Sequence, residues 1–441
     1  MAQTLQERLK DQPYQGYAYA YPHKTAYRHF DQPIPLRQIW DSEDQSSLYL
    51  YLHLPFCEMR CGFCNLFTTT NPGEDIVSRY LAAVDTQIEA AGNYLTSGAR
   101  FTRGAVGGGT PSFLTLSELE TLFQSLDKLP GYAPQVMPFS FELSPATVTE
   151  EKLKFLVGQG ITRFSIGVQS FLEQETKAFG RPQKLPQVHQ ALETIRHSGV
   201  EVMNIDLIYG ADIQTTSTWK NSINEALRYE PEEIYLYPLY VRPLTGLEKT
   251  GRTAADHRID LFRTGRDLLR ENGYEQISMR LFRKQDSAIT GGPVYCCQED
   301  GMVGIGAGAR SYTTGLHYCT EYAVGRNGIN EIIADYSCRT LDEHSHAVYG
   351  CHLSEQERKR RYLMKSLLRI DGLSLADYRK YFRTDAMSDF PELNDLLQFD
   401  LARLSKNSLV LNDSGFERSD TIGPWLFSAS VTSKMENYQP V

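Results

Sequence analysis

The chain lacks the long hydrophobic runs, the positive charge and the dense cysteines that mark several protein classes. No apolar run approaches the ~18 residues of a membrane-spanning helix, and the first twenty residues have no apolar core behind a basic start, so no signal peptide is expected. The formal net charge of −9 disfavours a nucleic-acid-binding protein, because phosphate contacts need a basic face. Eight cysteines in 441 residues do not make a secreted disulfide scaffold. We therefore expect a cytoplasmic protein whose clustered thiols serve a metal or catalysis.

The middle of the chain alternates apolar, strand-like runs with helical patterns. This alternation predicts parallel strands with helices packed outside them, as in a partial or full TIM-like (β/α) barrel. A doubly wound sheet is the competing architecture. The predicted strands are Ser47–Leu54, Gly104–Val106, Phe139–Leu143, Arg163–Val168, Val200–Ile208 and Ile234–Leu239. The predicted helices are Asp75–Leu95, one capped by Ser117, Glu150–Val157, Pro186–His197, Ser217–Tyr229 and Ala255–Glu271.

Three regions follow from the change of pattern along the chain. Residues 1–46 are polar, with scattered tyrosines and prolines, and are expected to be an irregular lead-in. Residues 47–350 hold the barrel core and its extension, and residues 351–441 a small α+β domain with a winged-helix-like pattern. The elements predicted there are helices Glu355–Arg369, Leu373–Phe382 and Leu393–Leu404, a strand at Ser408–Leu411 and a turn at Asn412–Gly415.

Three cysteines, Cys57, Cys61 and Cys64, form a CxxxCxxC run on the loop after the first predicted strand. Soft thiolates favour zinc or iron–sulfur clusters. A structural zinc site needs a fourth Cys or His at close spacing, whereas the next cysteine is Cys296, and nothing in the pattern aims His53 at the metal. Three cysteines on a 4Fe–4S cubane leave one iron open for a substrate or cofactor. The spacing therefore predicts a 4Fe–4S cluster with these three ligands.

The cysteine run and its flanks resemble the radical S-adenosylmethionine (SAM) superfamily. Residues 51–57, YLHLPFC, are similar to the branch that holds oxygen-independent coproporphyrinogen III oxidase, the related haem chaperones and the class C radical SAM methylases. The resemblance implies an enzyme in which a reduced cluster cleaves SAM to a deoxyadenosyl radical. Five further segments match in the same order: VGGGTP at 106–111, FELSP at 141–145, SIGVQSF at 165–171, GR at 180–181 and NIDLIYG at 204–210.

The resemblance also implies a set of SAM contacts. A carboxylate can accept from the ribose hydroxyls or the ammonium group of SAM, and Arg181 can pair with the SAM carboxylate. The resemblance identifies no catalytic side chain. It implies a small-molecule substrate, an electron donor such as flavodoxin or ferredoxin, and in some members a second SAM. The SAM contacts carried over are Tyr51, Phe63, Gly108, Gly109, Thr110, Glu142, Gln169, Arg181, Asp206, Tyr240 and Arg310.

The members of this branch differ in their reactions. The resembled oxidases carry a further cysteine two residues after the third ligand, where this chain has Leu66. The resembled haem chaperones and methylases commonly lack it too. The chain is also longer than typical haem chaperones and has a distinctive tail, GFERSDTIGPW, at 415–425. These features favour a class C C-methyltransferase or cyclopropanase that uses a second SAM on an unsaturated small molecule. The alternatives left open are a coproporphyrinogen III oxidase-type decarboxylase and a haem chaperone.

A second glycine-rich segment, GIGAGA at 304–309, fits a dinucleotide-binding pattern. The residues after it do not open a helix in the sequence pattern, and without a strand–turn–helix context the fingerprint is weak. We therefore predict no dinucleotide site there. The sequence predicts no functional role for Cys296 or Cys297.

Overall fold

The structure is a computed structural model that describes residues 3–18, 20–251, 257–285 and 301–438. Among these residues, thirteen strands form one sheet. Two short strands, Phe56–Cys57 and Thr69–Thr70, pair separately. The thirteen are β1 (Arg28–Pro35), β2 (Leu48–Leu54), β3 (Phe101–Gly108), β4 (Phe139–Leu143), β5 (Arg163–Gln169), β6 (Val202–Tyr209), β7 (Glu233–Pro238), β8 (Tyr274–Gln276), β9 (Leu281–Lys284), β10 (Met302–Ile305), β11 (Arg310–Tyr312), β12 (Leu316–Cys319) and β13 (His346–His352).

The helices fall mainly between the strands and in the C-terminal region. The labelled helices are α1 (Glu74–Tyr94), α2 (Leu116–Leu126), α3 (Glu150–Gly158), α4 (Leu185–His197), α5 (Thr216–Leu227), α6 (Arg258–Glu271), α7 (Arg326–Tyr336), α8 (Glu355–Leu367), α9 (Leu375–Phe382), α10 (Leu393–Gln398), α11 (Ser419–Trp425) and α12 (Ala429–Glu436). Shorter helical segments are Leu5–Lys10, Lys24–Ala26, Leu36–Trp40, Pro111–Phe113, Pro134–Val136, Pro145–Thr147, Glu173–Ala178, Gly246–Lys249, Leu341–His344, Ala386–Asp389 and Asp413–Glu417. No helix of the described residues is long and apolar enough to cross a membrane.

The strand order decides between the two predicted architectures. The sheet runs β1-β13-β12-β11-β10-β2-β3-β4-β5-β6-β7-β9-β8, and β2 to β7 are parallel neighbours in sequence order. A doubly wound sheet reverses its order at a switch point. Because this order never reverses among β2 to β7, the right-handed crossovers put their helices on one face. The predicted partial (β/α) barrel is confirmed. Because β2 to β7 are parallel, their carboxyl ends lie together at one end of the barrel, which is its mouth.

The apolar periodicity of the barrel helices is also confirmed. Val77, Leu81, Val84 and Ile88 of α1 are all buried in the core between the helices and the sheet. The cap of α2 differs from the prediction, because Thr115 rather than Ser117 is the N-cap residue. Thr115 and Glu118 form a capping box in which each side chain accepts from the other residue's backbone N–H. The start predicted at Ala255 lies outside the described residues, and α6 begins at Arg258.

The lead-in is more ordered than predicted. Its polar strand β1 pairs antiparallel with β13 at one edge of the sheet, with an irregularity between His29 and Ile34. Edge strands tolerate charge and proline, which is why hydrophobic alternation did not reveal this one. The lead-in therefore extends the sheet.

The C-terminal region combines short helices with a three-stranded antiparallel sheet of β14 (Leu373–Ser374), β15 (Ala402–Ser405) and β16 (Ser408–Leu411) in the order β14-β16-β15. The strand at 408–411 is confirmed. The helix predicted to reach Leu404 is wrong at its end, because α10 stops before Asp400, whose φ of 52° breaks the helix. The predicted turn at Asn412 instead caps a short helix.

This region has its own hydrophobic core, which also takes residues from the lead-in. Leu5, Tyr21 and Ala26 are buried in the same cluster as Leu363 and Phe416. The two ends of the chain therefore pack together. The domain boundaries at 46/47 and 350/351 stay a prediction.

Candidate active site

The cysteine loop is held against two other loops at the mouth of the barrel by Gly62. Its N–H donates to the carbonyl of Gly180 at 3.0 Å, and its carbonyl accepts from the N–H of Leu247 at 2.8 Å. A Cβ at position 62 would lie 2.7 Å from the carbonyl oxygen of Phe179 and 3.0 Å from Cα of Gly180. Only glycine permits such a close backbone approach. The loop between Cys61 and Cys64 is thus fixed by main-chain contacts.

The three predicted ligands are free thiols, Cys57 buried and the other two half-buried. Burial raises the pKa of Cys57 to about 12, against the opposing effect of a hydrogen bond from Thr110, and burial also raises the pKa of the Cys61 thiol. The side chain of Arg181 lies beside Cys61 and favours its thiolate. Thiols that are neutral in this setting become thiolates when a metal binds.

These thiols fit a cluster better than a single ion. In the parts of the chain that the structure describes, no three His, Cys, Asp or Glu side chains are placed to share one metal ion. A cubane does not require that convergence, because each cysteine binds its own iron. The donor set Cys57, Cys61 and Cys64 therefore suits a 4Fe–4S cluster with one iron left open.

The glycine run after β3 lies directly against the cysteine loop. The Gly109 N–H donates to the carbonyl of Leu54 at 2.8 Å, and a Cβ at position 109 would lie 2.9 Å from Sγ of Cys57. The Thr110 hydroxyl donates to the same sulfur at 3.6 Å. Gly108 has a φ of 118°, and a Cβ there would meet the His53 ring at 2.8 Å. Glycine thus lets this backbone approach the thiols, where the sequence predicts SAM.

Two acidic residues, Glu142 and Asp206, lie inside the barrel. Burial, followed by the charge of Asp206, raises the pKa of Glu142 to about 7, although its carboxylate accepts from the Gly108 N–H at 3.3 Å. Burial also raises the pKa of Asp206 to about 6, against a hydrogen bond of 2.8 Å from Asn204. The carboxyl of Glu142 is nevertheless exposed where it borders a cavity, and Asp206 is half-buried, so a ligand can reach both acids. They can accept from hydroxyl or ammonium groups of a ligand.

The cationic side of this site is Arg181, which follows β5. Its guanidinium lies beside Cys61 and donates to the hydroxyl of Ser144 at 3.4 Å, and that hydroxyl donates to Glu58 at 2.8 Å. Gln169, with a φ of 67°, has its side chain on the same side as Arg181, above Gly167. The structure therefore brings Arg181 to the cysteine loop, where a SAM carboxylate is expected.

The four remaining predicted contacts have three different settings. Tyr51 and Arg310 line a cavity with Gly108 and Glu142, and Phe63 packs edge-on against Phe179 beside the cysteine loop. The hydroxyl of Tyr240 donates to Asp420 of α11, Arg242 covers its ring at 4.2 Å, and the residue also packs against the core of the barrel. One contact of Tyr240 therefore joins it to the C-terminal region. Its role as a SAM contact stays a prediction, as do the others.

Sequence reasoning missed several residues of this site. Lys24 of the lead-in lines the same cavity as Tyr51 and Glu142, yet nothing near it in the sequence suggested a binding residue. Asn204 and Ser165 hold Asp206 in place through hydrogen bonds of 2.8 and 3.5 Å, and both stood inside the motifs already quoted. The GIGAGA segment begins in the last two residues of β10 and ends just before β11, so among the described residues a strand rather than a helix follows it. Cys296 and Cys297 lie outside the described residues.

Comparison with known proteins gives this site a family context. The model of the radical SAM superfamily matches residues 51–226. A haem chaperone, HemW of Synechocystis, is 29% identical over 279 residues, which are 61% of this chain and 66% of that protein, just under two thirds of its length. An oxygen-independent coproporphyrinogen III oxidase of Helicobacter pylori is 25% identical over 392 residues, 85% of this chain and 83% of the other.

A solved structure extends the likeness to the fold. Coproporphyrinogen III oxidase (HemN) of Escherichia coli superposes with a TM-score of 0.75 at 20% identity, over 89% of this chain and 92% of that one. The partial barrel and the C-terminal region are thus one known architecture.

The names of these relatives correct the reaction favoured from the sequence. They are coproporphyrinogen III oxidases and haem chaperones, so the preference for a C-methyltransferase or cyclopropanase is wrong. Leu66 could not separate a methylase from a haem chaperone, since both resembled groups commonly lack that cysteine. The distinctive tail has a structural task, because its Asp420 pairs with Arg280 at 2.6 Å and its Gly423 packs on Ala18.

Proposed function

The chain carries a radical SAM domain, which uses a 4Fe–4S cluster and SAM, and from that premise we propose an enzyme that acts on a propionate-bearing tetrapyrrole. The proposed reaction is that of the oxygen-independent coproporphyrinogen III oxidases. A propionate side chain loses a hydrogen atom to the deoxyadenosyl radical and then carbon dioxide, leaving a vinyl group, and a one-electron acceptor takes up the remaining electron. One observation carries the proposal: the likeness to the Helicobacter pylori oxidase runs through both the barrel and the C-terminal region. An electron donor such as flavodoxin or ferredoxin is part of the proposal.

When bound, the cluster and SAM supply a deoxyadenosyl radical. The chain's own residues position the partners. In this proposal Cys57, Cys61 and Cys64 are the ligands, and Arg181, beside Cys61, pairs with the SAM carboxylate. Glu142 borders the cavity and in this proposal accepts from SAM hydroxyl or ammonium groups.

A haem chaperone is a second candidate, favoured by one specific observation. Leu66 stands where the oxidases have a further cysteine, and it borders the cavity beside the cysteine loop. The Synechocystis relative is named a haem chaperone. A chaperone would bind haem tightly without converting any tetrapyrrole.

The test is an anaerobic assay with the reconstituted full chain, a strong reductant, SAM and coproporphyrinogen III. We expect deoxyadenosine, carbon dioxide and a decarboxylated product. Cys61→Ala is the matched inactive control, because a methyl group cannot replace a thiolate ligand. Tight haem binding with no conversion of coproporphyrinogen III would instead identify the chaperone.

A further inference from the structure

Glu175 is a fully buried acid that the proposed mechanism does not use. It lies in the short helix Glu173–Ala178, between the end of β5 and Arg181. Its Oε2 accepts hydrogen bonds from the Ser170 hydroxyl at 2.6 Å and from the Gln214 side-chain amide at 3.0 Å. Its Oε1 has no hydrogen-bond partner among the described residues. Because a buried carboxyl is costly unless it is hydrogen-bonded, these two bonds tie Ser170 and Gln214 to the helix.

We infer that Glu175 is a positioning residue, which holds the strained turn after β5 and so directs the side chain of Gln169 toward SAM. The inference rests on the SAM contacts of the proposed function and is independent of its substrate. No sequence motif singled out Glu175.

Gln169, the last residue of β5, has a backbone conformation that is rare for a residue with a side chain. Its φ is 67°, and the register of β5 against β6 shifts between Gly167 and Gln169. A Cβ built at Gly167 would lie 2.6 Å from Nε2 of Gln169 and 3.1 Å from Nη1 of Arg181. The turn therefore places the Gln169 side chain next to the Arg181 guanidinium, where a SAM carboxylate is expected. Such a strained conformation persists only when its surroundings determine it.

The hydrogen bonds that determine this turn converge on the buried Ser170. Its hydroxyl donates to Glu175 at 2.6 Å and accepts from the N–H of Leu172 at 3.0 Å. Ser222 of α5 lies 3.1 Å from the same hydroxyl and accepts from the Phe171 N–H at 3.2 Å. Because a hydroxyl has one hydrogen to donate, the acceptor that holds this hydrogen also orients the oxygen toward the Leu172 N–H. Glu175 therefore fixes the turn through Ser170.

The second donor extends the same network to the neighbouring strand. The Gln214 side chain donates to Glu175 and accepts from the N–H of Gly210, directly after β6, at 2.7 Å. Glu175 thus joins the ends of β5 and β6, the strands that carry the predicted SAM contacts Gln169 and Asp206. A hydrogen-bond network of this kind rigidifies its members, and preorganised contacts bind a ligand with a smaller loss of entropy.

The experiment measures equilibrium binding of SAM to the anaerobically reconstituted full chain. Glu175→Leu removes both accepted bonds, and we expect it to weaken SAM binding by about tenfold or more. Glu175→Gln keeps one side-chain oxygen for both donors and should restore most of the affinity. The matched control is Glu417→Leu, since Glu417 is also buried and accepts from Arg263 at 2.8 Å and from Arg266 at 2.7 Å. That control should lower thermal stability and leave SAM affinity unchanged.

A double-mutant cycle with Gln169→Ala separates positioning from a general structural role. In the Gln169→Ala background, Glu175→Leu should weaken SAM binding by less than about twofold further, because the side chain that it positions is gone. Iron content and thermal unfolding identify a variant that fails to fold. Ser170→Ala, which removes a single hydroxyl of the network, then takes the place of Glu175→Leu.

Wild-type SAM affinity in Glu175→Leu, or in Ser170→Ala where it replaces that variant, would overturn the inference. A loss no larger than that of Glu417→Leu, or an equal loss with and without Gln169, would overturn it too. Unchanged SAM affinity in Gln169→Ala would refute both the inference and that SAM contact. A chain that shows the expected SAM affinities but converts no tetrapyrrole refutes the proposed reaction alone, and the inference stands.

Discussion

Adding one methyl group at Gly62 tests whether main-chain packing fixes the cysteine loop. The Cβ of Gly62→Ala would lie 2.7 Å from the carbonyl oxygen of Phe179, 3.0 Å from Cα of Gly180 and 3.2 Å from Cδ2 of Leu247. Unstrained contacts between carbon atoms lie at about 3.5–4.0 Å. The nearest neighbours are backbone atoms, which cannot rotate away, so the loop must move by roughly half an ångström or more.

That movement lengthens the two hydrogen bonds that join Gly62 to Gly180 and Leu247, at 3.0 and 2.8 Å. Overpacking costs about 1–3 kcal/mol, and each weakened hydrogen bond adds up to about 1 kcal/mol. We expect Gly62→Ala to lower the free energy of unfolding by about 2–4 kcal/mol. Because Cys61 and Cys64 flank this position, the cluster should be lost more readily than the fold.

The assay is iron content per chain after anaerobic reconstitution, together with thermal unfolding of the metal-free chain. Gly158→Ala is the matched control, since a Cβ there meets no atom within 4 Å and the residue lies at the end of α3. That control should retain full iron content and melt at or slightly above the wild-type temperature. If Gly62→Ala keeps the wild-type iron content and melting temperature, the loop is not fixed by this contact and the reasoning is refuted.

Three further predictions follow from the site and its supports. Arg181→Ala should weaken the binding free energy of SAM by about 1.5–3 kcal/mol without loss of iron. Equilibrium binding measures this, with Arg339→Ala as the control variant. Unchanged SAM affinity would show that Arg181 does not bind the SAM carboxylate. Because the pKa of Glu142 is raised to about 7, its ionised form, which accepts hydrogen bonds, appears as the pH rises through that value. SAM affinity should therefore increase from about pH 6 to about pH 8, and Glu142→Gln should remove this dependence of SAM affinity on pH. Asp420→Asn leaves the buried Arg280 without its charged partner and should cost about 3–5 kcal/mol in denaturant unfolding, whereas Asp385→Asn in an exposed pair should cost less than about 1 kcal/mol.

The barrel could be predicted because its signals are local. A buried parallel strand is a short apolar run, and helix faces repeat every three or four residues, so strands such as Phe139–Leu143 were placed correctly from neighbours in sequence. The cysteine spacing and the glycines near position 108 are local in the same sense, and the structure brings them together at 2.9 Å between Sγ of Cys57 and a Cβ built at Gly109.

What could not be predicted depends on contacts between distant parts of the chain. The hydroxyl of Tyr240 donates to Asp420, 180 residues away, and no periodicity in the sequence predicts that pair. Lys24 enters the cavity because the C-terminal region holds its turn, so its position is set by Arg361 and Glu357 rather than by its neighbours. The reaction also lay beyond local signals, since one missing cysteine at Leu66 is shared by proteins with different activities.

The packing of the lead-in on the C-terminal region sets an order of events during synthesis. The segment around Lys24 leaves the ribosome early, but Arg361, Glu357 and the Lys434 carbonyl that hold Tyr21 and Arg28 are made more than three hundred residues later. At roughly 5–20 residues per second that delay is of the order of 15–80 seconds. The barrel strands and the cysteine loop are complete during this interval, while the wall that Lys24 supplies is still absent. The side of the cavity that Lys24 borders is thus completed only after the barrel strands and the cysteine loop have been made.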